Sequence, residues 1–298
     1  MKIKKIVLII HLMLCSIICV SCTVPKHPFL INEYTPLKTE WDGRFLYVLA
    51  KDKTSCLILG TEPILGETTK NLDTLYLPSH YKGIPITGYC GRFGGWDTEI
   101  NKAVSYEYGI DITPVKELYL PCVGLQSGLL GESNYEKLYN PYIRADAWYE
   151  SSSAPHLELY IPTVGYEDEF NGSSKYYKGY AIIETNSDYS FSIYYYNKTT
   201  QIKTHKVTIY KANTAYMFNY ENAPNQNYYF INNFERGGLI ENTPYEPYRE
   251  GYAFLGWYKD SDCTEIWDFE TDTLPIATYD ENGELEFVET RLYAKWGK

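Results

Sequence analysis

A mainly β architecture is expected: a short stack of repeats, a β-hairpin cap and a small aromatic C-terminal domain. Three observations carry that expectation. The chain holds 32 Tyr in 298 residues, and Tyr suits pleated surfaces where its ring packs while its hydroxyl stays wet. A short phrase recurs, as "TLYLP" ending at Pro78, "ELYLP" at Pro121, "KLYNP" at Pro141 and "ELYIP" at Pro162. Several β-branched and aromatic runs are separated by turn residues, the mark of strands joined by hairpins.

The repeat comes first in the argument because it sets the geometry. Leu75, Leu118, Leu138 and Leu159 are spaced by 43, 20 and 21 residues, and 43 is about twice 21. One short strand per 20 to 23 residues is the signature of a leucine-rich solenoid, whose units bury their apolar face only by stacking. Side chains alternate along a strand, so if each Leu points inward, the adjacent Tyr76, Tyr119, Tyr139 and Tyr160 point outward. Thr74, Glu117, Lys137 and Glu158 share that outward face. The four rings should form a column on the sheet, a candidate binding face, or one whose cross-strand pairs only stabilise the sheet.

Ahead of the repeats, "FLYVLAKDKTSCLILGTE" (Phe45 to Glu62) reads as a hairpin, two apolar runs about a polar turn. Behind them, Tyr176 to Tyr210 reads as three strands broken by "TNSD" and "NKTT", able to cap the exposed end of the stack.

The amino terminus, "MKIKKIVLIIHLMLCSIICVSC", has a basic start and an apolar run of Ile6 to Val20. It reads as a secretion signal over residues 1–21, since the run is shorter than the roughly 20 residues of a spanning helix. Ser21 before Cys22 resembles the bacterial lipobox, which implies a lipid on Cys22 and a membrane partner. Plain signal cleavage and a retained anchor helix are the alternatives. Residues 22–40, with Pro25, Pro28 and Pro36, read as a tether. Loss of residues 1–21, with three Lys and no acid, takes the formal net charge from −11 to −14. An acidic chain argues against nucleic acid as a partner, because phosphate contacts need clustered Lys and Arg.

No chemistry-bearing motif stands out. His27, His80, His156 and His205 lie in no nucleophile or metal motif. Cys56, Cys90, Cys122 and Cys263 have no zinc-ligand spacing, and four cysteines allow three pairings that spacing cannot separate. Asp260, Asp262 and Glu265 in "KDSDCTE" read as a polar turn, since the Gly and distal Glu of a calcium loop are missing. No enzyme activity, cofactor or metal is expected.

Two resemblances sharpen the architecture. "LYLPSHYKGIPITGYCGRF" (Leu75 to Phe93) and "LYNPYIRADAWY" (Leu138 to Tyr149) resemble BspA-like leucine-rich repeats, with residues 94–113 departing from the pattern. That repeat region is assigned to residues 41–175 and the cap to 176–212. In the last part, 213–298, the order of "GG" (Gly237-Gly238), "PYREGY" (Pro247 to Tyr252), "FLGWY" (Phe254 to Tyr258), "WDF" (Trp267 to Phe269) and "LYAKW" (Leu292 to Trp296) resembles the Listeria/Bacteroides-type repeat of internalin-like surface proteins, a β-grasp unit. Asn282-Gly283 marks an extended hairpin within it. The resemblance implies that Gly251, Phe254, Trp257, Trp267 and Trp296 are structural core. It also implies a non-enzymatic cell-surface lipoprotein with an adhesion or binding role toward a host or envelope protein. A glycan-binding module and a structural spacer of the envelope are the alternatives.

Overall fold

A computed structural model describes residues 39–50, 52–62, 72–89, 115–122, 135–141, 156–164, 181–185, 190–196 and 203–298, with the backbone alone at 87–89, 181–185, 190–196 and 203–205. The signal and lipidation calls, Cys90 and the departing stretch 94–113 lie outside these residues. What is described is almost wholly β-structure, with a short 3-10 turn at Asn225–Asn227 and two helical residues at 163–164.

The first sheet is ordered β1-β2-β3-β6-β5, from β1 (Thr39–Trp41), β2 (Leu46–Leu49), β3 (Cys56–Gly60), β5 (His80–Tyr81) and β6 (Ile84–Tyr89). β1 starts at Thr39, two residues before the expected start of the repeat region. Leu46, Tyr47 and Val48 are all buried, as are Cys56 to Leu59. Such continuous burial is what an unalternating apolar run predicts. The β2/β3 turn is tied by Asp52, whose carboxylate accepts the Thr54 N–H at 3.0 Å. Lys82 and Gly83 both have positive φ, which gives β5 and β6 a two-residue hairpin matched to strand twist.

The second sheet is ordered β10-β11-β12-β9-β8-β7-β4. It joins β4 (Thr74–Tyr76), β7 (Glu117–Tyr119), β8 (Lys137–Tyr139) and β9 (His156–Ile161) in parallel to β12 (Lys203–Lys211), and then β11 (Ser190–Tyr196) and β10 (Ala181–Thr185) antiparallel. Leu75, Leu118, Leu138 and Leu159 stand opposite one another in register and continue at Ile209. All five are buried in one core with Phe45, Tyr47, Cys56, Ile58 and Ile86 of the first sheet.

The third sheet is ordered β14-β13-β16-β15, from β13 (Thr214–Met217), β14 (Tyr228–Asn232), β15 (Ala253–Tyr258) and β16 (Thr290–Gly297). The "FLGW" motif has a local reason. Phe254 faces Trp296 and Trp257 faces Ala294, so Leu255 and Gly256 form a bulge, and Gly256 adopts φ +124°, which side-chain-bearing residues avoid. The bulge turns Trp257 inward, edge-on to Tyr216 at 5.0 Å, while the Trp267 N–H bonds the Trp257 carbonyl at 2.9 Å.

Of the residues expected as core here, Trp257 and Trp267 are buried, while Phe254 and Trp296 are half-buried at its margin. Gly251 is a correction: it is exposed, at φ +75° in the turn that closes with the Tyr252 N–H on the Arg249 carbonyl. Its role is backbone geometry, and it packs against nothing. Above that turn the Arg249 guanidinium lies 3.8 Å from the Tyr252 ring centroid and 4.5 Å from that of Tyr220. The Trp296 indole donates to the Phe218 carbonyl at 2.6 Å.

Trp257→Ala removes the centre of this packing, and large aromatic truncations cost about 3–5 kcal/mol. The third sheet should unfold or melt far earlier in a urea titration, and an unchanged midpoint would refute the assignment.

Candidate functional site

The tyrosine column exists. Tyr76, Tyr119, Tyr139 and Tyr160 lie in register on adjacent parallel strands and continue at Tyr210 of β12. Neighbouring centroids are 4.1, 4.0, 4.5 and 5.2 Å apart, with interplanar angles of 6°, 6°, 7° and 20°. Register imposes this stacking, because in-register parallel strands carry identical side chains one strand spacing apart.

The exposure expected for these rings is corrected by the structure. Tyr119, Tyr139 and Tyr160 are only 5%, 3% and 8% exposed, and Tyr76 is half-buried. Alternation places them opposite the leucines, as reasoned, but that face is covered by the third sheet. They share a core with Tyr216, Phe230, Trp257 and Leu292. Phe230 of β14 sits 6.2 Å from Tyr76 and 6.3 Å from Tyr119, nearly parallel to both. Burial holds the phenols of Tyr119, Tyr139 and Tyr160 well above their usual range.

Polar groups at the rim satisfy the hydroxyls. Tyr119 donates to Glu117 at 3.2 Å and Tyr160 to Glu158 at 3.1 Å. Lys137 bridges to Glu117 at 3.0 Å, so the half-buried row expected to face outward forms the edge of the ladder.

Direct bonds fasten the cover. The Cys122 N–H donates to the Tyr229 carbonyl at 2.9 Å, Asn225 Nδ2 to the Pro141 carbonyl at 2.7 Å, and Thr163 Oγ1 to Glu289 at 2.9 Å. Glu289 also receives the Tyr228 hydroxyl and Arg291 Nε. Cys56, Cys122 and Cys263 carry reduced thiols. Burial pushes the Cys56 thiol up to about 12, which keeps it in the unreactive thiol form.

Two cavities flank the ladder. One, of about 480 Å³, lies at the Tyr76 end between Arg44, Thr74 and the 242–245 segment. The other, of about 280 Å³, lies at the Tyr160 end against Tyr210, Lys211, Arg236 and Phe287. Neither was foreseen, because each joins segments far apart in sequence. Composition held one hint for the second: Tyr210 closes an alternating strand, "KVTIY", one rung beyond the last repeat phrase.

His80 belongs to the same contact region. Its ring lies 4.8 Å from that of Tyr248, and its Nδ1 is 3.0 Å from Ser79 Oγ. Burial lowers its pKa to about 4 from the usual 6.5. A depressed histidine pKa means that the unfolded chain binds the proton more readily, so stability is lost as pH falls below about 6.5 until both states are protonated below about 4. His80→Phe should flatten the decline in melting temperature between pH 7 and pH 4.5; a decline as steep as in the parent would refute the role. In the ladder, Tyr119→Ala should cost about 3–5 kcal/mol, whereas Tyr119→Phe, which keeps both stacked faces, should cost under about 1.5 kcal/mol. Equal midpoints for the two variants in chemical denaturation would contradict the stacking account.

Comparison with known proteins is consistent with the third sheet's motifs. Residues 216–295 match the Listeria-Bacteroides repeat domain family. A provisionally named Gly-rich membrane protein of Evansella cellulosilytica is 42% identical over 62 residues, 21% of this chain. A second provisionally named membrane protein of that organism is 43% identical over 53 residues, 18% of this chain. In both cases the aligned segment spans 6% of the relative's own length. What these comparisons identify is a Listeria-Bacteroides repeat at the C-terminal end of the chain.

Proposed function

We propose that the chain is a non-enzymatic protein of the bacterial cell surface, held at the envelope by a lipid on Cys22 and engaged in adhesion or ligand binding. In this reading residues 41–175 are a BspA-like leucine-rich stack, 176–212 its cap and 213–298 a β-grasp repeat. The observation that carries it is the match of residues 216–295 to a repeat domain, in a chain whose amino terminus has the order of a lipoprotein signal. The names of the two relatives support a place at the membrane. The absence of nucleophile, base and metal motifs from the sequence supports a role without catalysis. Fold alone does not assign a partner, which must be argued from sites. Since the faces of the tyrosine ladder are covered by the chain itself, binding falls to the cavities at its two ends.

A second reading, a spacer that displays or assembles envelope components, is favoured by that same burial, which turns the most conspicuous aromatic surface into internal packing.

Lipid attachment is testable directly. The parent should incorporate labelled palmitate and be shaved from intact cells by added protease, while Cys22→Ala should lose the label and appear in the medium or periplasm. Equal labelling of the two, or resistance of the parent on intact cells, would overturn the proposal.

A further inference from the structure

We infer that the open edge of β4, at the Tyr76 end of the ladder, takes up an extended peptide of a partner protein as an added parallel strand of pattern Glu-Leu-Tyr. The inference rests on the binding role proposed above and names its partner class. Its test uses purified chain, so its failure is distinguishable from a failure of surface anchoring.

The backbone is the first ground. β4 is the last strand of its sheet. Asp73 accepts the Glu117 N–H at 3.0 Å, and Leu77 donates to the Tyr119 carbonyl at 3.1 Å. A parallel ladder alternates sides residue by residue, so Thr74 and Tyr76 turn their N–H and C=O groups away from β7. That edge has no strand on it among the described residues. Edges are commonly blunted by charge or proline within the strand, whereas β4 reads Thr-Leu-Tyr. Its outward backbone groups form a template for strand addition.

The ladder is the second ground. Tyr119 stacks on one face of Tyr76 at 4.1 Å. Phe230 is nearly equidistant from both rings, at 6.2 and 6.3 Å, and so lies beside the pair. The other face of Tyr76 carries no ring among the described residues, and Tyr76 lines the cavity of about 480 Å³. At the far end, by contrast, Tyr210 continues the row. A tyrosine in register on an added strand would extend the stack by one rung.

Charge is the third. Arg44 is the one charged residue among those lining this cavity. Its guanidinium lies 5.6 Å from the Tyr245 ring centre and forms no ion pair among the described residues. The carboxylate of Asp42, two residues away, accepts the Arg44 and Phe45 N–H groups and the Tyr47 hydroxyl. On β7 and β9 the residue two before the tyrosine is a glutamate that accepts the tyrosine hydroxyl; on β4 that residue is Thr74. Thr74 and Arg44 line the same cavity, so a Glu opposite Thr74 would meet the guanidinium, whose fork suits a carboxylate. An acidic sugar could serve Arg44 but would leave the strand edge unpaired.

The test is an NMR titration of the purified full chain with an acetylated, amidated peptide of sequence TELYIT. Exchange of its Glu for Gln should weaken binding about tenfold, the factor of a charge-assisted contact, and exchange of its Tyr for Ser at least about fivefold. In the parallel register its Leu N–H meets the Thr74 carbonyl, so N-methylation there should abolish binding. N-methylation of its Tyr amide, which points away from β4, should be tolerated. Arg44→Gln should reproduce the loss seen with the Gln peptide and leave the melting temperature unchanged. No binding at about 1 mM peptide, equal binding of the Glu and Gln peptides, or tolerance of the Leu methyl group would each overturn the inference. So would an edge already occupied by a second copy, seen as a dimer that Thr74→Pro makes monomeric.

Discussion

The structure depends on burying both faces of a sheet at the point where its strands, β4, β7 and β8, are only three residues long. β4, β7 and β8 are too short to hold together alone, so they depend on what packs against their two faces. The leucine face meets the first sheet, in the core that contains Phe45 and Ile58. The tyrosine face meets the third sheet, in the core that contains Tyr216 and Trp257. Register then does the rest: once Leu118 and Leu138 are paired, Tyr119 and Tyr139 must stack at 4.0 Å. Their hydroxyls must emerge at the rim, where Glu117 and Glu158 accept from Tyr119 and Tyr160.

The third sheet is therefore more than an appended module. Its aromatic content serves two packings at once. Trp257 meets Tyr216 inside the sheet, while Phe230 on β14 lies over Tyr76 and Tyr119. The backbone bond from Cys122 to Tyr229 and the side-chain bond from Asn225 to Pro141 set how the two sheets meet. Cavities open at the two ends of the ladder, beside Tyr76 and beside Tyr210.

Much of this was legible in the sequence, and the limit of legibility has a physical cause. The period of the x-L-Y-x-P phrase yields parallel strands in register, and alternation yields a column of tyrosines, both of which the structure contains. The order of Gly, Trp and Tyr between 237 and 296 yields a named repeat. Alternation, however, distinguishes only two faces and says nothing of what covers the second, so exposure of the tyrosines did not follow. A warning was present: Tyr228 to Asn232, "YYFIN", is apolar without alternation, as a strand buried on both faces should be, and all five residues are buried. Gly251 was misread for a related reason, because motif position marks importance without saying whether it arises from packing or from a positive φ. Arg236, Lys211 and Phe287 escaped because only tertiary structure brings residues so far apart in sequence to one cavity.

The most direct test of the central claim, that the tyrosine ladder is internal packing shared with the third sheet, is a double-mutant cycle between Tyr119→Ala and Phe230→Ala, read by equilibrium unfolding. Rings packed across that junction should show a coupling energy of about 0.5–1.5 kcal/mol. Strict additivity, with each variant destabilising as if the other ring were absent, would contradict it.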